Sequence, residues 1–123
     1  MTAELRLLCM GFGIITVPAL CYHYWHDAKE LFPGALICWL GGVLNFLVVS
    51  LNGWQMPVEG VAYFPPDLIW KVARDPHLPW LCDRFDWGLV TYSLGDAFIY
   101  SGAVLFGCGL VYHVGRRIWG LRS

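Results

Sequence analysis

Three long apolar stretches constrain this chain more than any other feature of its sequence. Residues 5–25, 35–51 and 94–114 together fill about half of the 123 residues. Each approaches or reaches the roughly 20 apolar residues that a helix needs to cross the hydrocarbon core of a bilayer. Because a segment in lipid must satisfy its backbone hydrogen bonds internally, a helix is the spanning form we expect. The sequence therefore predicts an all-α integral membrane protein with three transmembrane helices.

The composition argues against several other classes of protein. Hydrophobic residues make up 58% of the chain and charged residues 14%, against roughly a quarter charged in an average soluble domain. A formal net charge of −1 lacks the basic excess of nucleic-acid-binding proteins, so we expect no nucleic-acid partner. Phosphate-binding glycine loops, HExxH and CxxC motifs and a recognisable nucleophile triad are absent from the sequence, so no enzymatic activity and no metal site are predicted. Five cysteines, an odd number, do not indicate a disulfide framework.

The stretches organise one domain, residues 1–123, with spans of about residues 5–25, 35–52 and 94–114. The first is longer than the apolar region of a signal peptide and lacks a cleavage site, so we expect it to be retained. The long loop, residues 53–93, is rich in proline and tryptophan and is predicted to lie along the membrane surface. Within it, the pattern predicts an amphipathic helix over residues 65–74 and a short turn over residues 79–85. A lid that covers a substrate is the alternative to a surface anchor.

The distribution of Lys and Arg predicts the orientation, because cytoplasmic connections carry the excess. Four basic residues fall on each side of the bundle, but Arg116, Arg117 and Arg122 are concentrated in a short tail after the last span. We therefore expect a cytoplasmic C-terminus and a long loop on the opposite side.

Small residues mark the faces through which helices approach closely in lipid. In the first span, Cys9, Thr16 and His23 recur every seven positions. In the third span, Gly95, Gly102 and Gly109 form a glycine stripe with the same spacing. A second small-residue face on this span, with Ala103 and Gly107, predicts that the helix contacts both of the others. The same stripes would also suit helices of another protein. The helix contacts predicted in the second and third spans are Gly41, Gly42, Gly95, Gly102 and Gly109.

Polar residues near one end of the bundle suggest either packing or a site. Asn45 lies well inside the second span, where its amide needs a partner. Ser93 and Asp96 have the Ser-x-x-acid spacing of a capping box at a helix N-terminus. The first alternative is an interhelical hydrogen bond and a cap; the second is a small polar site at the rim, built from Asn45, Asn52 and Asp96.

Two histidines give a cofactor hypothesis. In an alternating bundle the end of the first span and the end of the third lie at the same side, so His23 and His113 share a level. Both imidazoles together could ligate haem, or one could ligate the magnesium of a chlorophyll. The alternative is a cluster of amphipathic rings at headgroup depth.

Several segments resemble a known family. They are Gly41-Gly42-Val43-Leu44-Asn45-Phe46, Asn52-Gly53-Trp54-Gln55-Met56-Pro57-Val58 and Tyr92-Ser93-Leu94-Gly95-Asp96. They are similar to an uncharacterised family of bacterial membrane proteins known only as a domain of unknown function, over about residues 34–109. The resemblance implies a multi-pass protein of the bacterial inner membrane and no known activity. It directs attention to Asn45, Asn52, Met56, Pro57, Ser93 and Asp96.

Two functions are favoured, and a transporter is a third option that the lack of paired charges in the spans weakens. The first is a small non-catalytic subunit of a larger membrane protein complex, which acts through helix packing, requires no cofactor and has the lipid bilayer and other transmembrane subunits as partners. The second is a protein that binds haem, chlorophyll, quinone or a lipid between its helices, in electron transfer or light harvesting. It predicts a ligand within reach of His23 or His113.

Overall fold

The computed structural model describes residues 3–58, 70–72, 75–86 and 91–120. Three long helices form most of this part of the chain: α1 (Ala3–Tyr24), α2 (Phe32–Leu51) and α3 (Leu94–Gly120). A 3₁₀ turn, η1 (Lys29–Leu31), leads from α1 into α2. The central helix is α2, which packs most extensively on α3 and less extensively on α1. The predicted helical fold with three helices is confirmed.

Two helix ends differ from the predicted bounds. α2 begins at Phe32 rather than near residue 35, because Pro33 lies in its first turn, where a missing N–H costs no helical hydrogen bond. α3 continues past residue 114 to Gly120, so Arg116 and Arg117 lie on the helix and not in a separate tail. Basic side chains in a last helical turn interact favourably with the negative end of the helix dipole.

The helices differ in how well they suit a membrane. Lys29–Leu51, with a mean hydropathy of 2.0, and Leu94–Gly120, with 1.6, are long and apolar enough to cross one. The apolar part of α1, Leu8–Tyr24, is shorter. Large apolar side chains point outward from the bundle, with Phe12 72% and Val111 75% exposed. So many exposed large apolar side chains are unfavourable in water and are typical of an interaction surface.

The predicted glycine stripe of α3 lies against α2 and η1 at backbone distance. A methyl group added at any of its three glycines would overlap an atom of the neighbouring element. Close approach of this kind requires that no side chain stand between the backbones. The overlapped groups are the amide of Asn45 for Gly95, the backbone of Cys38 for Gly102 and the carbonyl of Glu30 for Gly109.

The glycines of α2 divide into two kinds. A Cβ at Gly41 would overlap the carbonyl oxygen of Gly95, so Gly41 lies in the helix contact. A Cβ at Gly42 would have no atom within 4 Å, so the helix contact predicted for Gly42 stays a prediction. Gly107 on the second face of α3 likewise has open space around it. Among the described residues, the face of α3 with Gly95, Gly102 and Gly109 therefore contacts α2 and η1, whereas Gly107 has no close neighbour.

The connection between α2 and α3 folds against the end of α2, and we call its described part the cap. Strand β1 (Met56–Val58) pairs in parallel with β2 (Trp70–Val72), and β3 (Phe85–Asp86) pairs antiparallel with β4 (Thr91–Tyr92). Between them lies the 3₁₀ turn η2 (Pro79–Leu81). The cap is joined to α2 by a buried apolar cluster of Val48, Val49, Met56, Leu81 and Cys82.

Of the two predictions for this connection, the helix is wrong where the structure describes it and the turn is present. The amphipathic helix over residues 65–74 is wrong at Trp70–Val72, which form a strand because their backbone pairs with Met56–Val58. Residues 65–69 and 73–74 of that prediction lie outside the described residues. The predicted turn is present as η2, but Phe85 already belongs to β3.

Replacing Gly102 with Leu should destabilise the packing of α2 on α3. The new side chain would collide with the backbone of Cys38, and overpacking of this kind costs about 1–3 kcal/mol or more. Gly107→Leu is the matched control, because it adds the same side chain to the same helix where space is open. Thermal unfolding in detergent, followed by circular dichroism, measures both. Equal midpoints for the two variants would contradict the assigned interface.

Candidate functional site

A closed hydrogen-bond network joins α2 to the start of α3. Asn45 Nδ2 donates to Asp96 Oδ1 at 2.7 Å, and Ser93 Oγ donates to Asn45 Oδ1 at 2.9 Å. The Asp96 N–H donates to Ser93 Oγ and the Ser93 N–H to Asp96 Oδ2, both at 3.2 Å. This is a reciprocal capping box with a third member from another helix. Ser93 is fully buried and Asn45 is 9% exposed, so the network caps α3 and cross-links it to α2 without much contact with solvent.

Gly95 is the residue that admits Asn45 to this network. A Cβ on Gly95 would overlap the side-chain amide of Asn45. The amide can therefore reach Ser93 and Asp96 because the intervening position has no side chain. The glycine stripe and the capping sequence, which are separate patterns in the sequence, act together here.

Asn52 takes no part in that network, and its side chain binds the backbone of the cap at His77. Its Nδ2 donates to the His77 carbonyl at 3.0 Å, and its Oδ1 accepts from the His77 N–H at 2.9 Å. The same Nδ2 donates to the Val48 carbonyl at 2.7 Å, which fixes the amide at the end of α2. Of the three residues in the alternative rim site, Asn45 and Asp96 thus belong to a helix contact, whereas Asn52 binds the loop backbone.

A second polar cluster lies at the opposite end of the α2–α3 contact. Glu30 Oε2 is 3.2 Å from His113 Nδ1, and Glu30 Oε1 is 2.7 Å from an Nη atom of Arg116. The side chains of Glu30 and His113 are only 12% and 13% exposed. Sequence reasoning did not single out Glu30; the usable signal was one acidic residue in a short connection at the level of His113 and Arg116.

The two predicted ligand histidines occupy different surroundings. His113 faces Glu30, whereas His23 is exposed and packs edge to face on Tyr24 with ring centroids 4.8 Å apart. No hydrogen bond or ring contact joins His23 to His113 in the part of the chain that the structure describes. Within that same part, no group of three or more His, Cys, Asp or Glu could hold a metal ion. A haem or chlorophyll ligand role for either histidine stays a prediction.

Pro18 leaves a backbone carbonyl of α1 free to accept the hydrogen bond that joins α1 to α2. Pro18 lies inside α1 and has no N–H to donate to the carbonyl of Ile14, four residues earlier. The indole Nε1 of Trp39 donates to that carbonyl at 2.8 Å. Two polar groups that would otherwise lack partners thus satisfy each other. The sequence signals were a proline inside the first span and a tryptophan about one helical turn inside the second.

An apolar groove lies between α1 and α3, with α2 as its floor. Its volume is about 500 Å³, and small residues line it at Gly13, Gly42 and Ala103. The three residues of the stripe predicted for the first span, Cys9, Thr16 and His23, have different surroundings. Cys9 lines the groove, Thr16 donates to the Phe12 carbonyl of its own helix, and His23 is exposed.

Replacing Asn45 with Ala should weaken the bundle more than replacing Asn52 with Ala. Loss of the Asn45 amide leaves an Asp96 oxygen and the Ser93 hydroxyl without their partner, at a cost of about 1–3 kcal/mol. Loss of the Asn52 amide frees the backbone of His77 but leaves the helix contact intact, so limited proteolysis near residue 77 should accelerate. Chemical unfolding in detergent and peptide mapping separate the two effects. An Asn45→Ala variant as stable as the parent would contradict the assignment.

Trp39→Phe should cost less stability when Pro18 is replaced by Ala. In the parent chain the substitution leaves the Ile14 carbonyl unpaired, which costs about 0.6 kcal/mol and at most about 1.7 kcal/mol. Alanine at position 18 supplies an N–H that restores the helical bond, so the Ile14 carbonyl no longer depends on the indole. A double-mutant cycle on the free energy of unfolding measures the coupling. An identical cost of Trp39→Phe in both backgrounds would rule out this pairing.

Comparisons with known proteins place the chain in a family without a known activity. The model of a family of unknown function, DUF5317, matches residues 8–108. These residues include the groove-lining part of α1, all of α2, the cap and more than half of α3. No curated protein and no solved structure matched the chain. The resemblance predicted from the sequence is confirmed at this level: the protein belongs to the DUF5317 family of unknown function.

Proposed function

We propose that this protein is a small non-catalytic subunit of a larger membrane protein complex and that it acts through helix packing. The observation that carries the proposal is the outward face of α3 formed by Val104, Gly107 and Val111, which follow the i, i+3, i+7 spacing of one helix face. The two valines are 66% and 75% exposed, and a Cβ at Gly107 would meet open space. A small residue between apolar neighbours lets another helix approach closely.

The proposed location is the bacterial inner membrane, with α1, α2 and α3 all crossing the bilayer. The length and hydropathy of α2 and α3 support this location, and so does the apolar outer surface of all three helices. The cap would then lie at the membrane surface. Trp54 and Trp80 are half exposed there, and their amphipathic rings suit headgroup depth. The bacterial origin is part of the proposal and follows only from what the sequence resemblance implies.

The proposed orientation places the C-terminus in the cytoplasm and the cap outside it. Arg116 contacts Glu30 next to Lys29, so these basic residues gather at the end of the bundle opposite the cap, and Arg117 follows on the same helix. An excess of Lys and Arg is typical of the cytoplasmic side.

Cysteine labelling of intact cells tests the location and orientation. His77→Cys should react with a membrane-impermeant maleimide in intact cells, because His77 is exposed in the cap. Arg117→Cys should react only after the membrane is made permeable. The reverse pattern would overturn the orientation, and labelling of both in intact cells, or recovery in the soluble fraction, would overturn the proposed spanning arrangement.

Site-specific photocrosslinking tests the subunit role. A photoreactive amino acid at Val111 should form a discrete adduct with a different polypeptide, and Gly107→Leu should abolish that adduct without lowering the unfolding temperature. The same amino acid at Phe12, which is 72% exposed on α1, is the control and should give lipid adducts. Adducts of Val111 with lipid alone, or with a second copy of this chain, would contradict the proposal.

A further inference from the structure

Asn52 is followed by Gly53, and this pair ends α2 in a conformation that favours the glycine. Gly53 has a φ of 71°, in the left-handed region that other residues adopt less readily. The Trp54 N–H donates to the Val49 carbonyl at 2.9 Å, which is the bond of a Schellman motif from the second residue beyond the helix cap. The geometry of this helix end therefore favours a residue without a side chain directly after Asn52.

An asparagine loses its side-chain amide most readily when glycine follows it. The backbone nitrogen of the next residue attacks the asparagine Cγ, ammonia leaves and a succinimide ring forms, which water then opens to aspartate or isoaspartate. A side chain on the attacking residue hinders this approach, and Gly53 has none. The other asparagine of the chain, Asn45, precedes the bulky Phe46. The sequence thus holds one asparagine suited to this reaction.

The folded conformation keeps Asn52 from reacting. In the closed ring the Gly53 nitrogen and the Asn52 Cβ are nearly eclipsed about the Cα–C bond, whereas at the observed ψ of 36° they lie nearly anti. The side-chain amide is fixed as well, since Nδ2 donates to the Val48 and His77 carbonyls and Oδ1 accepts from the His77 N–H. Attack therefore requires Asn52 to release His77 and to rotate, which redirects the chain leading into the cap.

The product of the reaction could not bind the cap in the same way. Aspartate is ionised at neutral pH, and an ionised carboxylate accepts hydrogen bonds but donates none. At position 52 it would face the carbonyl oxygens of Val48 and His77, to which the Asn52 amide now donates. Isoaspartate would also lengthen the main chain by one carbon at the end of α2. Either product replaces two hydrogen bonds with repulsion between oxygens.

We propose that Asn52 and Gly53 form a self-modification site that makes opening of the cap irreversible. When Asn52 releases His77, the Gly53 nitrogen attacks Cγ, ammonia leaves, and hydrolysis of the succinimide prevents the original contact from forming again. The substrate is the chain itself and the co-reactant is water, which reaches the exposed hydrogen bonds between Asn52 and His77. This inference depends on neither the subunit role nor the membrane location proposed above.

The deamidation rate of the full-length chain tests the proposal. The parent is incubated in mildly alkaline buffer, folded in dodecyl maltoside or unfolded in sodium dodecyl sulfate with urea. Peptide mapping by mass spectrometry follows the one-dalton gain at residue 52, and an isoaspartate-specific methyltransferase identifies isoaspartate. Because the reaction needs local opening, the unfolded chain should react at Asn52 at least about tenfold faster than the folded chain. Asn45 is the internal control and should react much more slowly than Asn52 in the unfolded chain.

Loosening the cap without changing the Asn52–Gly53 pair should accelerate the reaction in the folded protein. Leu81 is 1% exposed in the cluster that joins the cap to α2, so Leu81→Ala leaves a cavity there. This variant should deamidate at Asn52 at least about fivefold faster than the parent, with unchanged helical circular dichroism. Leu110→Ala is the matched control, because it makes the same change at a 43% exposed position of α3 and should react at the parent rate.

The modified protein should show a released cap. The deamidated fraction, and Asn52→Asp made directly, should both be cleaved near residue 77 faster than the unmodified parent in limited proteolysis. Four outcomes would overturn the proposal: no deamidation of Asn52 in the unfolded chain, equal rates in the folded and unfolded chain, equal rates in Leu81→Ala and Leu110→Ala, and an Asn52→Asp variant as resistant to cleavage as the parent.

Discussion

Backbone contact between α2 and α3 determines where the other parts of this protein lie. Glycines on both helices remove the side chains that would separate them, and at Gly95 this lets the Asn45 amide reach the first turn of α3. At the other end Gly109 lies against the carbonyl of Glu30, which brings the Glu30 carboxylate within reach of His113 and Arg116. Both polar clusters therefore depend on the same column of close contacts.

The polar groups described within the helix contacts form hydrogen bonds with a neighbouring helix or its first residues. Asn45 is paired with Ser93 and Asp96, and the carbonyl freed in α1 is paired with Trp39. In hydrocarbon, apolar burial gives little net drive for helices to associate, and individual interhelical hydrogen bonds contribute about 0.6 kcal/mol on average and at most about 1.7. Free-energy contributions this small still matter where they determine which helix faces contact each other. The two pairings specify how α3 and α1 are placed around α2.

Local signals in the sequence predicted the parts of the structure that depend on neighbouring residues. The helices, the glycine stripe of α3 and the capping box of Ser93 and Asp96 all follow from composition or from spacing within a few residues. The strand at Trp70–Val72 was missed because its partner, Met56–Val58, lies elsewhere in the chain and the local pattern suits a helix equally well. Glu30 and Trp39 were missed for the same reason, since each is identified by a group on another helix. The function could not be predicted in the same way, because a helix-contact face does not identify the molecule that it contacts.

The separation between Asn45 and its partners has a consequence for biosynthesis. Ser93 and Asp96 follow Asn45 by 48 and 51 residues along the chain. At elongation rates of about 5–20 residues per second, α2 emerges roughly 2–10 s before the start of α3 is available. During that interval its central amide has none of the hydrogen bonds that it makes in the finished protein. The cross-link between α2 and α3 can therefore form only after the last helix has been made, and in the membrane location proposed above the Asn45 amide would spend that interval without these partners.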